Sequence, residues 1–384
     1  MSITRKNFLK LSAFAASASA FGNIVDRGNN KGGYGTRADS SAENGELVRV
    51  DAFQGVLNAL DRHPLVGLGD PHMHELFHAF LRSLVRMPAL QSKVDDIVVE
   101  CGNAFYQNLS DRFFLDLESV DDAELSNMWR TTIGGRVYWD CPVYEQFYRT
   151  VRSVNESLPC KKRIRVVLGD PAIDWSQIQS AADAGKLPTE DKRETFYADV
   201  VEREVLAKRR RALLFIGGGH LRRGVHTTPG GLIPPDNPDQ PSAGTILAEK
   251  HPGSLYVVLP FSTVNSAIAS LPEGVPGRVE QTLASWPTPS LTTLAGTWLG
   301  PQPMPDRALD PNSTIEDQAD ALFWMGPDDT LMCSRPDPAL YQSGDYAAEL
   351  RRRSEIISAR TETTVDLVAE GLHLASLGPS CAVR

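Results

Sequence analysis

Four of the chain's eight histidines, His63, His72, His74 and His78, fall within or just before the stretch LVGLGDPHMHELFHAF at 65–80. Here and further along, short apolar runs end on groups that can act as acids, bases or ligands. GDPHMHE carries Asp70, His72, His74 and Glu75; VVECG carries Glu100; GDPAIDW carries Asp170 and Asp174; GGGH carries His220. Imidazoles and carboxylates brought to one point are what general-base or metal-assisted hydrolysis requires. A carboxylate beside a histidine also fixes its tautomer and raises its basicity.

Position ranks these candidates. If a helix begins near His72, then Leu76, Phe77, Phe80, Leu81, Leu84 and Val85 form its buried stripe. Glu75 then lies on the same side of the first turn as His72, and Asp70 can cap the free N–H groups ahead of it. His72, at the junction, is the functional candidate. His63 and His78 read as surface or satisfied core histidines, while His74 is open to either reading. Glu100 closes DIVVE, a run expected to be buried, where an unpaired charge is costly. It therefore needs a histidine, a metal cation or a purely structural arginine as partner. The three glycines before His220 permit close backbone approach.

Gly69-Asp70-Pro71-His72 and Gly217-Gly218-Gly219-His220 are thus paired GxxH elements at strand ends, with Glu100 on a strand between them in sequence. This arrangement resembles the superfamily that joins erythromycin esterases, ChaN-like haem-uptake lipoproteins and the TraB/Tiki proteins. The resemblance spans roughly residues 60–260 and implies an α/β core whose site is built from His72, Glu100 and His220, with Asp70 and Glu75 as neighbours. Erythromycin esterases carry a GExxHG version of the first element; here Asp70 stands in place of that glutamate and Met73 in place of the glycine.

The leading expectation is a hydrolase of the esterase or peptidase type acting on a small molecule or peptide. His72, Glu100 and His220 would hold a divalent metal such as zinc or manganese, or act without one as base and orienting groups, with Asp170 as a fourth member. A second reading takes DPHMH as the D-x-H-x-H element of amidohydrolase barrels, which makes His74 a metal ligand equal to His72. A third, from another class, is a haem- or metal-binding protein without turnover. Haem would need an exposed Tyr or His on an apolar face, among which Tyr106, Tyr138 and Tyr144 are candidates, and would allow a homodimer. No G-x-S-x-G element supports a nucleophilic serine.

The elements that must position these residues alternate. LVGLGD (65–70), DIVVECG (96–102), RIRVVLGD (163–170), ALLFIGGGH (212–220) and SLYVVLPF (254–261) read as strands apolar throughout, separated by helical segments. That pattern predicts an α/β fold, a mostly parallel open sheet with helices on both faces, and a site at the strands' carboxyl ends. Phe53, Val56, Leu57 and Leu60 start an amphipathic helix ahead of the first strand. Residues 225–244 form a long Pro/Gly/Asp-rich loop. Residues 262–318 show few strong patterns; ALFWMG and LMCS within 321–334 read as late strands, and 339–358 as a helix. The expected organisation is a signal peptide at 1–20, a flexible tether at 21–45, the α/β core at 46–261 and an α+β extension at 262–384 packing on it.

The signal peptide rests on MSITRKNFLKLSAFAASASAFG: a basic start, an apolar run and the small-residue ASA. TRKNFLK resembles a twin-arginine export signal with Lys6 in place of the second arginine. Export to the periplasm or outside the cell is expected, with no membrane span once the signal is removed. Five cysteines, Cys101, Cys141, Cys160, Cys333 and Cys381, leave an odd thiol and show no zinc-binding spacing. The formal net charge of −9 argues against a nucleic-acid partner. The basic run KRRR at 208–211 reads as the complement to a helix carboxyl end.

Overall fold

A computed structural model of the protein describes residues 45–133, 137–225, 240–261, 271–305, 310–361 and 363–381, with 233, 236 and 308 between them. The expected signal peptide at 1–20 and residues 21–44 of the expected tether lie outside the described residues, as does most of the loop expected at 225–244.

Eight strands form one sheet: β1 (Val50–Asp51), β2 (Leu65–Asp70), β3 (Asp96–Asn103), β4 (Arg165–Asp170), β5 (Ala212–Gly217), β6 (Leu255–Phe261), β7 (Ser290–Thr293) and β8 (Ala321–Trp324). Their order is β1-β7-β8-β6-β2-β5-β3-β4, so the sheet is open, with β1 and β4 at its edges rather than closed into a barrel. The six strands from β8 to β4 are parallel; β7 is antiparallel to both β8 and β1. The amidohydrolase alternative, which needs a closed barrel, does not match this topology.

The parallel strands are apolar throughout because both faces are covered. Val66, Leu68, Val99 and Phe215 face a core shared with the helices Ala52–Arg62, Glu75–Arg86 and Pro142–Ser157. Leu65, Val98, Leu214 and Ile216 face the other core, under the helices Glu190–Val201, Ala243–Lys250 and Val275–Leu283. Alternation of side chains along each strand sends neighbours to opposite layers.

Two features of the sheet bear on the site. Asp70 and Gly217, the last residues of β2 and β5, are register partners, so both GxxH elements leave the sheet side by side. β3 continues three residues past Glu100, and its register with β4 shifts between Val99 and Asn103. That irregularity includes Glu100, and bulges are common next to sites.

The region after 261 supplies β7 and β8 to the same sheet. β7 escapes sequence reading because SLTT is short, polar and placed directly after Pro289. LMCS is not a strand of the sheet; its residues make single bridges, His74 to Cys333 and Met332 to Ser380. KRRR follows the helical segment, as expected, and pairs with carboxylates: Lys208 with Glu204 at 2.7 Å and Arg210 with the buried Asp96 at 2.6 Å.

Candidate active site

The turn after β2 is built around Asp70. Its Oδ1 accepts the backbone N–H of His72, and its Oδ2 lies 2.9 Å from His72 Nδ1. Tyr144 donates its hydroxyl to Oδ2 at 3.1 Å and accepts the Met73 N–H at 3.1 Å. His72 and Met73 hold φ of 52° and 64°, consecutive left-handed residues that are not glycine. Such backbone costs on the order of 1–3 kcal/mol per residue and persists only where its surroundings over-determine it. Burial alone would raise the Asp70 pKa; the charges and hydrogen bonds of His72 and His78 outweigh it and hold the carboxyl well below its usual range.

His220 stands on the one-turn helix Gly218–Leu221, directly after β5. Its Nδ1 is hydrogen-bonded to Glu194 Oε1, and its Nε2 lies 3.3 Å from Glu100 Oε1. Burial alone would lower its pKa, but Glu194 and then Glu100 push it up to about 10, so the ring is a cation at neutral pH. Glu100 also receives the Gly217 N–H on Oε2 at 2.6 Å and lies 3.3 Å from Arg193 Nη2. Although burial opposes it, His220, His72 and Arg193 hold Glu100 ionised, well below its usual pKa.

The point of convergence is Gly217. A Cβ there would sit 2.9 Å from Glu100 Oε2, 3.2 Å from His72 Cε1 and 3.5 Å from His220 Cδ2. His72, Glu100 and His220 therefore surround one point at the carboxyl end of β5, where open α/β sheets place their sites. The glycine opening each GxxH has a reason in close packing, since a Cβ on Gly69 would meet Gly218 Cα at 3.0 Å.

Asp170 joins this group through Arg193. It accepts from Arg193 Nε at 2.9 Å and from the Tyr197 hydroxyl at 2.7 Å, while Arg193 Nη1 reaches Glu190 at 2.6 Å. Its burial is the larger influence and keeps its pKa raised despite Arg193. Asp170 is thus part of the support beneath Glu100. His78, read from sequence as surface or core, is fully buried with Nε2 3.4 Å from Asp70 Oδ1.

Glu75 starts the helix Glu75–Arg86, where its charge acts on Arg82 and Cys141. His74 is buried against Cys333 and Cys381, with ligand atoms within 4.8 Å of one another. Those two sulfurs form a disulfide and so are not thiolate ligands. His72 and His74 consequently point to different surroundings and do not form the paired ligands of a D-x-H-x-H site. Asp174 caps the turn Trp175–Gln177 through Ser176.

A divalent metal held by His72, Glu100 and His220 does not fit this donor set. Glu100 Oε2 takes the Gly217 N–H, and Oε1 lies between Arg193 and His220. Both nitrogens of His220 face carboxylates that stabilise its protonated form. A metal would have to displace that proton beside a guanidinium.

The helix Glu190–Val201 supplies what the sequence reading passed over. Glu190, Arg193, Glu194 and Tyr197 are all buried, at the i, i+3, i+4, i+7 spacing normally filled by apolar residues. In the sequence alone the same stripe is indistinguishable from a solvated helix face. The wall beside His72 comes from Tyr138, stacked at 6.4 Å, and Trp139, edge-on at 5.0 Å.

No known family model matches the chain, and no curated protein matches it in sequence. Solved structures do. It is similar to a mutant of the erythromycin esterase EreC in its open conformation, with 14% identity, a TM-score of 0.45, and 72% of this chain and 93% of that chain covered. It is also similar to ChaN of Campylobacter jejuni, described with cofacial haem binding, with 16% identity, a TM-score of 0.34, and 57% and 92% covered. A Bacillus cereus protein gives 10% identity, a TM-score of 0.45, and 73% and 92% covered. Proteins of the kinds that the paired GxxH elements resemble are among these neighbours.

Proposed function

We propose that this chain is a hydrolase of the esterase or peptidase type in which His72 is the general base. The observation that carries the reading is the Asp70–His72 pair beside the Glu100–His220 pair, with His72, Glu100 and His220 meeting at Gly217. An ionised Asp70 accepting from Nδ1–H leaves Nε2 as the nitrogen that takes a proton. His72 is also the accessible member: its side chain is 29% exposed, against 3% for Asp70, 5% for Glu100 and 7% for His220.

His72 Nε2 would take a proton from water as the water's oxygen attacks the substrate carbonyl, then return it to the departing alcohol or amine. His220, fixed as a cation, would offset negative charge developing on the carbonyl oxygen through its field. Glu100 and Glu194 hold that cation; Arg193 holds Glu100. No step in this scheme uses a metal.

The test is hydrolysis of p-nitrophenyl acetate by the purified chain, its His72→Ala variant and its His220→Ala variant. Turnover that survives chelation and disappears in folded His72→Ala supports the reading. Unchanged turnover in that variant removes it.

Haem binding without turnover is the second reading. Tyr144 is committed to Asp70 and Met73, but Tyr138 is 38% exposed and stacked on His72, as a haem-facing tyrosine would need to be. A Soret band after haemin titration, lost in Tyr138→Phe, would support it. We also propose export to an oxidising compartment, which the Cys333–Cys381 disulfide supports. Among the described residues no helix is long and apolar enough to cross a membrane.

A further inference from the structure

The segment after β8 closes over the turn that carries His72. Glu75 N–H donates to Met332 O at 2.9 Å and Ser334 N–H to Met73 O at 2.8 Å, flanking the bridge between His74 and Cys333. On its other side the same segment pairs with the end of the described chain. Cys333 N–H donates to Pro379 O at 2.6 Å, Cys381 N–H donates to Leu331 O at 2.9 Å, and Met332 bridges Ser380. Residues 73–75, 331–334 and 379–381 thus lie as three short layers. The Cys333–Cys381 disulfide joins the second to the third, across 48 residues of sequence.

This matters because of what the first layer carries. Met73 and its neighbour His72 both hold left-handed backbone, a conformation that relaxes if its supports loosen. The Met73 carbonyl is held by Ser334, the residue after Cys333. Met332 between these layers is 45% exposed, while Cys333 and Cys381 are each 3% exposed, so a reductant meets the sulfurs when the layers at the surface part.

We propose that the Cys333–Cys381 disulfide is a redox-sensitive latch that keeps His72 in its working position. A dithiol reductant supplies two electrons and two protons: its own two sulfurs join, the protein S–S bond opens, and two thiols result. The 331–334 segment then loses its tie to 379–381, and its grip on Met73 and Glu75 weakens. The loss of turnover rests on the hydrolase reading; the displacement of His72 does not.

Both halves are read on the full mature chain. Two-bond proton–nitrogen spectra of the histidine rings report the His72 tautomer and environment without any turnover. On reduction by dithiothreitol, confirmed by mass, the His72 ring signals should shift while circular dichroism still shows a folded chain. In parallel, kcat for p-nitrophenyl acetate should fall at least about tenfold with KM changed less than about twofold. The double variant Cys333→Ser/Cys381→Ser should reproduce both changes and be indifferent to dithiothreitol. Ser334→Pro, which removes the N–H to Met73 and also restricts the backbone at Cys333, should move the same His72 signals with the disulfide intact. Unshifted His72 signals in the reduced chain or in Ser334→Pro overturn the latch, and so does global unfolding on reduction. A chain that shows the shift but never hydrolyses the ester retains the latch and discards the hydrolase reading.

Discussion

Asp70 grips His72 twice: Oδ1 takes its backbone N–H and Oδ2 faces its ring Nδ1, each at 2.9 Å. One buried carboxylate therefore sets both the backbone turn and the ring orientation of the same residue. Asp70→Asn keeps the shape but can present an amide N–H where the ring needs an acceptor. Ester hydrolysis should fall by about a hundredfold or more, the scale of positioned general-base catalysis, with near-native circular dichroism. Kinetics at saturating ester check it; a variant within about threefold of the parent rules out Asp70 as the orienting group.

Arg193 is the only guanidinium among the described residues that touches Glu100, Asp170 and Glu190 together. Removing it leaves several buried carboxylates short of their counter-charge, a loss on the order of 3–5 kcal/mol for a broken buried pair. Arg193→Ala should show that drop in urea unfolding. Arg193→Lys should recover only part of it, because an ammonium lacks the planar fork that spans three carboxylates. Equal stability of the lysine variant and the parent would contradict the shared role.

The core and the first site residues were legible for separate reasons. LVGLGD, DIVVE and ALLFIG are apolar on both faces because helices cover both sides, and that pattern needs no tertiary information. His72, Glu100 and His220 stood out as polar groups closing such runs. Arg193 and Glu194 did not, since a charged helix of sequence EDKRETFYADVV ordinarily faces water. Only the fold reveals that its charged stripe points inward. β7 is held by β8 and by β1, where Val50 pairs with Leu291, and the layering of 331–334 on 73–75 joins His74 to Cys333; local patterns do not encode contacts so distant in sequence.

The two charge clusters give stability opposite pH limits. The pKa of His220 is pushed to about 10, above its usual 6.5, so its contribution is complete below pH 6.5 and fades as pH rises through about 10. Asp70 and Glu100 are held below their usual values, so their contributions are present at neutral pH and are lost as acid protonates them. Urea midpoints should form a plateau near pH 5–6.5 and decline on both sides. His220→Gln should flatten the alkaline limb in particular. A parent whose midpoint is constant from pH 7 to 10 contradicts the buried cation.

Gly217 separates the site's space from the fold's stability. Its Cβ would come within 2.9 Å of Glu100 Oε2 and 3.2 Å of His72 Cε1, so even alanine pushes on the acid and the base at once. As ordinary overpacking, Gly217→Ala should cost about 1–3 kcal/mol. Activity should fall much further, because an offset of about 1 Å at reacting groups can cost a hundredfold. A matched change at the other close packing, Gly69→Ala, meets Gly218 Cα and Pro260 Cδ at 3.0 Å without entering the space between His72 and Glu100. Comparing kcat of the two variants at equal unfolding free energy isolates the site term. If Gly217→Ala loses no more activity than Gly69→Ala, the point where His72, Glu100 and His220 converge is not where the substrate reacts.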